Sequence, residues 1–193
     1  MRNKRLSGYM RLLIAATITA FPFAAEAKPD SQGSATVKVS GLVENPFTIT
    51  TSSVKQLKVA EGENTAIVCG TGETRKTLKT YKGVLLRDIL DSAKVVIADP
   101  HQRGEYFVLV RSTDNYNVLF SYNEIYSGTA GDGTWLIFEE NGKSIDKDGR
   151  FVVFSAKDKV TGPRHVKWVN AIEVSKVSSS KPVETSKPME QCQ

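Results

Sequence analysis

Cysteine and histidine are scarce in this chain of 193 residues, with two of each, and aromatic residues make up only 8% of it. Two cysteines exclude a disulfide-dense scaffold and a four-cysteine zinc site. The histidines, His101 and His165, lie far apart and far from Cys69, so no metal-ligand spacing joins them. A serine-elbow motif is missing, and no pair of carboxylates stands out to argue for hydrolysis. No internal repeat occurs. The longest apolar run, residues 12–25, has 14 residues, where a bilayer-spanning helix needs about 20. What remains is ordinary for a folded domain: 40% hydrophobic and 24% charged residues.

The formal net charge of +5 changes once its sources are separated. Arg2, Lys4, Arg5 and Arg11 precede the apolar run with no acid among them, and Ala25-Glu26-Ala27 follows it. That order is a secretory signal peptide over residues 1–27, cleaved after Ala27. Its four bases and Glu26 removed, 22 bases and 20 acids remain over residues 28–193, a net of +2. Such a balance gives no reason to expect nucleic acid as a partner. Arg2 and Arg5 are separated, so the signal is of the general secretory type, which threads an unfolded chain, rather than the twin-arginine type. The mature protein is expected to be periplasmic or secreted, with no membrane span.

Residues 28–35 form a polar lead-in, and residues 178–193, with two prolines and no aromatic residue, form a tail expected to be disordered. Between them, residues 36–177 are about right for one domain with one sizeable core. Val37 and Val39 alternate with polar residues, Asn45-Pro46 breaks the run, and residues 47–51 resume it, which predicts two short strands. Ser52 or Ser53 is placed to cap a short helix ending near Leu57. Residues 65–69 read as a buried strand, and Gly70 and Gly72 open a polar loop. Leu85, Leu86, Ile89 and Leu90 have helical spacing up to Ala93. Residues 105–111 and 117–120 flank a hairpin turn, and Ser121 with Glu124 has capping-box spacing. Two more strands are expected at 134–139 and 150–155. In the last strand, Val166, Trp168, Ile172 and Val174 share one parity. Strands dominate and helices are few and short, so the expected class is α+β with mostly antiparallel or mixed sheet.

Few residues can carry chemistry. Cys69 ends an apolar strand beside a Gly-Thr-Gly loop, where a side chain can be presented; a buried free thiol is the plainer alternative. Residues 70–77 match part of a phosphate loop but lack the glycine before Lys76-Thr77. His101 sits in a polar loop and is read as solvated. Arg164, His165 and Lys167, with Lys157 and Lys159 ahead of them, can converge on an anion such as a phosphate. The alternative is a solvated basic edge that discourages strand pairing.

In sequence order, Val39 to Pro46, Ala66-Ile67-Val68-Cys69, Tyr81 to Leu90, Ser112 to Tyr116, Glu140-Asn141-Gly142 and Arg164 to Val174 together resemble the molybdopterin-binding domain of the sulfite oxidase family, including its small exported bacterial members. The resemblance implies that family's fold and a molybdopterin-type molybdenum cofactor. It places Cys69 as the thiolate on the metal, a soft anionic ligand suited to a high-valent ion already held by a dithiolene. It places Arg164, His165 and Lys167 in the pterin- and phosphate-contacting segment, and Asp114 and Tyr116 in an Asp-Gly-Tyr-like turn. The implied activity is oxygen-atom or electron transfer with a small-molecule substrate or a redox partner protein. After Cys69 the family commonly has an Ala-Gly-Asn-Arg-type or Trp-containing sequence, and this chain has Gly-Thr-Gly-Glu-Thr-Arg. A second reading therefore stands beside the first: a cofactor-free binding module for a small anion, a peptide or a partner protein. A disulfide between Cys69 and Cys192, which would consume the thiolate, also stays open.

Overall fold

The computed structural model describes residues 34–177; the signal peptide expected at 1–27 and the tail at 178–193, with Cys192, lie outside the described residues. Alternating valines make β1 (Thr36–Gly41), with Val37 and Val39 fully buried and their neighbours facing outward. β2 (Phe47–Thr50) returns antiparallel on one side of it. β10 (Val169–Lys176), from the other end of the described chain, lies parallel to β1 on its other side. β5 (Tyr106–Ser112) and β6 (Val118–Ser121) complete a five-stranded sheet in the order β2-β1-β10-β5-β6.

The second sheet is built on a long hairpin of β3 (Val59–Val68) and β4 (Thr74–Leu85). β7 (Thr134–Glu140) pairs with β4, and both β8 (Lys143–Ser144) and β9 (Val152–Ser155) pair with β7. β4 runs directly into α1 (Leu86–Ala93), whose Leu86, Ile89, Leu90 and Ala93 point inward at helical spacing. Val39, Val110 and Ile172 of the first sheet share one apolar core with Val84, Leu136 and Val153 of the second, and α1 contributes to it. Each such fully buried aliphatic side chain contributes about 1.5–3 kcal/mol.

A second apolar cluster holds Tyr81, Trp135 and Phe154. The Tyr81 ring meets the other two edge-on, at centroid separations of 5.4 and 5.2 Å, the favoured geometry for aromatic quadrupoles. Gly62 lies under Tyr81, where a Cβ would come within 2.2 Å of the ring. On the side of the first sheet, α2 (Tyr122–Tyr126) starts with the expected capping box: Glu124 N–H donates to Ser121 Oγ (3.1 Å), and Ser121 N–H donates to the Glu124 carboxylate (2.8 Å).

The α+β class, mostly antiparallel with few short helices, is as expected, and three details differ. Residues 74–85, expected to continue the loop and start a helix, form the 12-residue strand β4. Tertiary pairing with β3 and β7 overrides the local polarity of Thr-Arg-Lys-Thr-Leu-Lys-Thr. The turn of 3-10 helix at Ser53–Gln56 has no side-chain cap; Ser53 Oγ instead accepts from Thr50 N–H at 2.8 Å. Finally, Trp168 breaks the parity of the last strand. Its φ is +49°, the β10–β5 register slips between Val169 and Ala171, and Val169 rather than Trp168 enters the core.

Candidate functional site

The hairpin of β3 and β4 sets the first wall of the site. Ile67 and Cys69 share a strand face, and Ile67 pairs with Lys76 while Val68 pairs with Thr74, leaving Arg75 as the extra residue of a bulge. A bulge lets neighbouring residues turn the same way, and Arg75 and Lys76 both line the cleft that Ile67 and Cys69 border. The opposite wall is the segment entering β10, with Gly162, Pro163, His165 and Lys167, and the β5–β6 turn supplies Tyr116. The cleft they enclose measures about 600 Å³.

Side chains fasten these walls together. Thr161, only 4% exposed, accepts from Val68 N–H and donates to Ala66 C=O, both at 2.8 Å. It thereby takes the place of a strand neighbour for β3 just before Cys69. The Tyr116 hydroxyl donates to Pro163 C=O at 2.7 Å, tying the β5–β6 turn to the same segment. Thr161→Val keeps the shape but leaves a backbone donor and acceptor unpaired, at an expected cost of about 2 kcal/mol. Urea unfolding should show that loss, and Thr161→Ser should recover most of it.

Four of the six residues singled out from sequence meet at this cleft: Cys69, Tyr116, His165 and Lys167. The Cys69 thiol donates to Glu73 C=O (3.2 Å), and the Thr71 hydroxyl sits 3.0 Å from the sulfur. Hydrogen bonding from Thr71, opposed by slight burial and aided by Arg75, lowers the thiol to about 7. Burial lowers His165 to about 4, with the charges of Lys76 and Lys167 adding to the effect and Asp148 opposing it. The imidazole is therefore neutral at pH 7. Its Nε2 is buried with no hydrogen-bond partner among the described residues.

Asp114 shapes the turn behind the cleft. Its carboxylate accepts from the Ser112 hydroxyl and from Tyr116 N–H (3.0 Å), bonds that hold it below the usual carboxylate range, Ser112 foremost. Asn115 takes a left-handed φ of +68°, a conformation asparagine tolerates, so it fills the glycine place of the turn. Arg164 does not converge with His165 and Lys167. Its guanidinium pairs with Asp158 and with Glu124 (2.9 Å), lies 4.7 Å over the Phe120 ring, and borders a separate cavity of about 230 Å³ that Lys157 also lines. Two carboxylates claim it, and one of them is the capping residue of α2. Its role here is to fasten α2 to the segment that leads into β10.

Arg75, Lys76, Asp148 and Thr161 belong to the site without having been singled out. Lys76 donates to both Glu140 oxygens (3.0 and 2.9 Å) and to Asp148 (3.4 Å), while Lys167 donates to the other Asp148 oxygen (2.8 Å). Burial alone would raise the Asp148 carboxyl, but Lys167 and Lys76 bring it below the ordinary value. The sequence signal for the β4 residues was the β-forming set Thr74, Thr77, Thr80 and Tyr81.

The donor set decides what sort of metal centre fits. Among the described residues no group of three or more His, Cys, Asp and Glu side chains could hold an ion. A metal bound at this cleft would have Cys69 as its thiol donor and would need further ligands from outside the described residues. Cys69 shares the cleft with the unpartnered His165 Nε2 and the Lys167 ammonium, a donor set compatible with a cofactor that brings its own metal ligands.

The fold and site together define a two-sheet α+β domain with a cleft between its sheets and one cysteine on the cleft wall. Residues 25–183 match the oxidoreductase molybdopterin binding domain, and the chain belongs to that family. Among solved structures, the sulfane dehydrogenase SoxCD from Paracoccus pantotrophus is similar, with a TM-score of 0.53 and 20% identity over 79% of this chain and 41% of that one. That likeness shows the fold, and this chain spans less than half the length of that protein. No curated protein matches the sequence. Among the described residues no helix is long and apolar enough to cross a membrane.

Proposed function

We propose that the chain is a periplasmic member of this family that holds a molybdopterin-type molybdenum cofactor in the 600 Å³ cleft and serves in oxygen-atom or electron transfer. The observation that carries the reading is the Cys69 thiol, lowered to about 7, on the wall of a cleft that also holds the unpartnered His165 Nε2. Half of the thiol is thiolate near neutral pH, so little free energy is needed to present it as an anionic ligand. Neutral His165 offers Nε2 as a hydrogen-bonding partner for a bound ring, Lys167 reaches the same space, and Tyr116 closes one side. Arg75 lies beside the sulfur and tempers the charge of the thiolate. When bound, the cofactor supplies a centre for two-electron chemistry, and the protein contributes binding, orientation and electrostatics. The reacting partner is a small-molecule substrate or a redox protein.

Protein purified from the periplasm of its own host is expected to contain about one molybdenum and one pterin per chain, and Cys69→Ser is expected to lose the metal while keeping the fold. Molybdenum and pterin both missing from natively purified, folded protein would overturn the reading. One observation favours a cofactor-free binding module in that case: Arg75, Lys76 and Lys167 each already have a carboxylate partner.

A further inference from the structure

Every cation at the cleft is matched. Arg75 pairs with Glu73 at 3.6 Å, Lys76 with Glu140 and Asp148, and Lys167 with Asp148. His165 is neutral at pH 7. Despite its lysines, the cleft carries no excess of positive charge to offer a ligand. Asp148 lines the adjoining cavity rather than the cleft itself, and it holds the key place because it binds the two lysines that line the cleft. Its two oxygens divide between the two lysines, at 3.4 and 2.8 Å, as the oxygens of a bound oxyanion would. The backbone fixes it there. Trp168 N–H donates to Asp148 C=O at 2.8 Å, and the next residue, Gly149, packs so tightly that a Cβ would lie 2.7 Å from Trp168 Cα.

We propose that Asp148 is the charge-selecting residue of the cleft. Its carboxylate occupies the oxyanion position between Lys76 and Lys167. A phosphate-like dianion gains the two ammonium groups only by displacing it, whereas a neutral or singly charged ligand enters without that competition. The proposal concerns this chain's own ion pairs and uses no metal, so it can hold where molybdenum proves to be missing and fail where molybdenum is found.

The test uses the full mature chain, with inorganic phosphate at pH 7.5 as the probe, followed by calorimetry and by amide shifts at Lys76 and Lys167. Asp148→Asn leaves the lysines with one fewer negative partner and is expected to bind phosphate at least tenfold more tightly than the natural protein, equivalent to about 1.4 kcal/mol. Adding Lys167→Met should abolish the gain. Equal affinity of the natural protein and Asp148→Asn overturns the proposal, and so does a gain that survives Lys167→Met. Should Asp148→Asn fail to fold, Asp148→Ser, which keeps a hydroxyl near the lysines without the charge, is the second variant and is expected to raise phosphate affinity in the same direction. No gain there also overturns it.

Discussion

Acidification from pH 7 to pH 4 is expected to remove about 3 kcal/mol of folding stability through His165 alone. In the unfolded chain the imidazole takes up a proton near its ordinary 6.5; in the folded protein it resists until about 4, because burial and the charges of Lys76 and Lys167 oppose it. Between those values the unfolded state binds one more proton than the folded state, so stability falls as pH falls and is fully present only above about 6.5. The carboxylates held low by their partners, Asp114, Asp148 and Glu124, act in a different window. Their contribution is present above the ordinary carboxylate range and is lost below it as each is protonated in the fold. Urea unfolding of metal-free protein at half-unit steps between pH 7.5 and 4.5 isolates the His165 part. His165→Asn should flatten the curve in that interval whatever it does to the absolute stability. An unchanged slope would show that the imidazole is not held neutral by its surroundings.

The same histidine shows how far the sequence could be read. His165 and Lys167 were visible as a donor-rich run into the last strand, and their common parity puts both on the cleft. Arg164 comes just before them, at the end of a turn of 3-10 helix rather than in a strand, and is captured by Asp158 and Glu124. Neither carboxylate is marked as its partner by any local pattern, since one lies six residues before it and the other caps α2. Cys69 was visible because an apolar strand ends there. The residues facing it were not, because β4 looks locally like loop: its polar side chains sit on an exposed hairpin, and only pairing with β3 and β7 makes it a strand. Trp168 is the converse case. Its apolar ring suits the core, but a left-handed backbone and a register slip, neither encoded by residue type, send Val169 inward instead. Alternation thus predicted faces wherever the strands were regular, and it failed at Trp168. The turn at Trp168 and the Arg75 bulge, the latter in a stretch that reads as loop, flank the residues that would meet a ligand.

Gly162→Ala is expected to cost about 3 kcal/mol and to loosen the cleft, whereas Gly70→Ala, at the neighbouring loop, should change stability by less than about 0.5 kcal/mol. Neither glycine has a positive φ, so the difference is one of space. A Cβ at Gly162 would lie 2.7 Å from Val68 O and 3.0 Å from Cys69 Cα, while one at Gly70 would meet nothing within 4 Å. Both atoms against Gly162 are backbone, so no rotamer change relieves the contact. The 161–167 segment must instead move away from β3, and the Thr161 bonds to Ala66 and Val68 stretch with it. Because that segment also carries His165 and Lys167, the displacement separates the thiol from the rest of the cleft. Urea unfolding reads the stability change, and the alkylation rate of Cys69 at fixed pH reads the opening, which should be several-fold faster in Gly162→Ala and unchanged in Gly70→Ala. Equal stability and equal alkylation rates for the two variants would mean that the packing of Gly162 on Cys69 does not hold the cleft together.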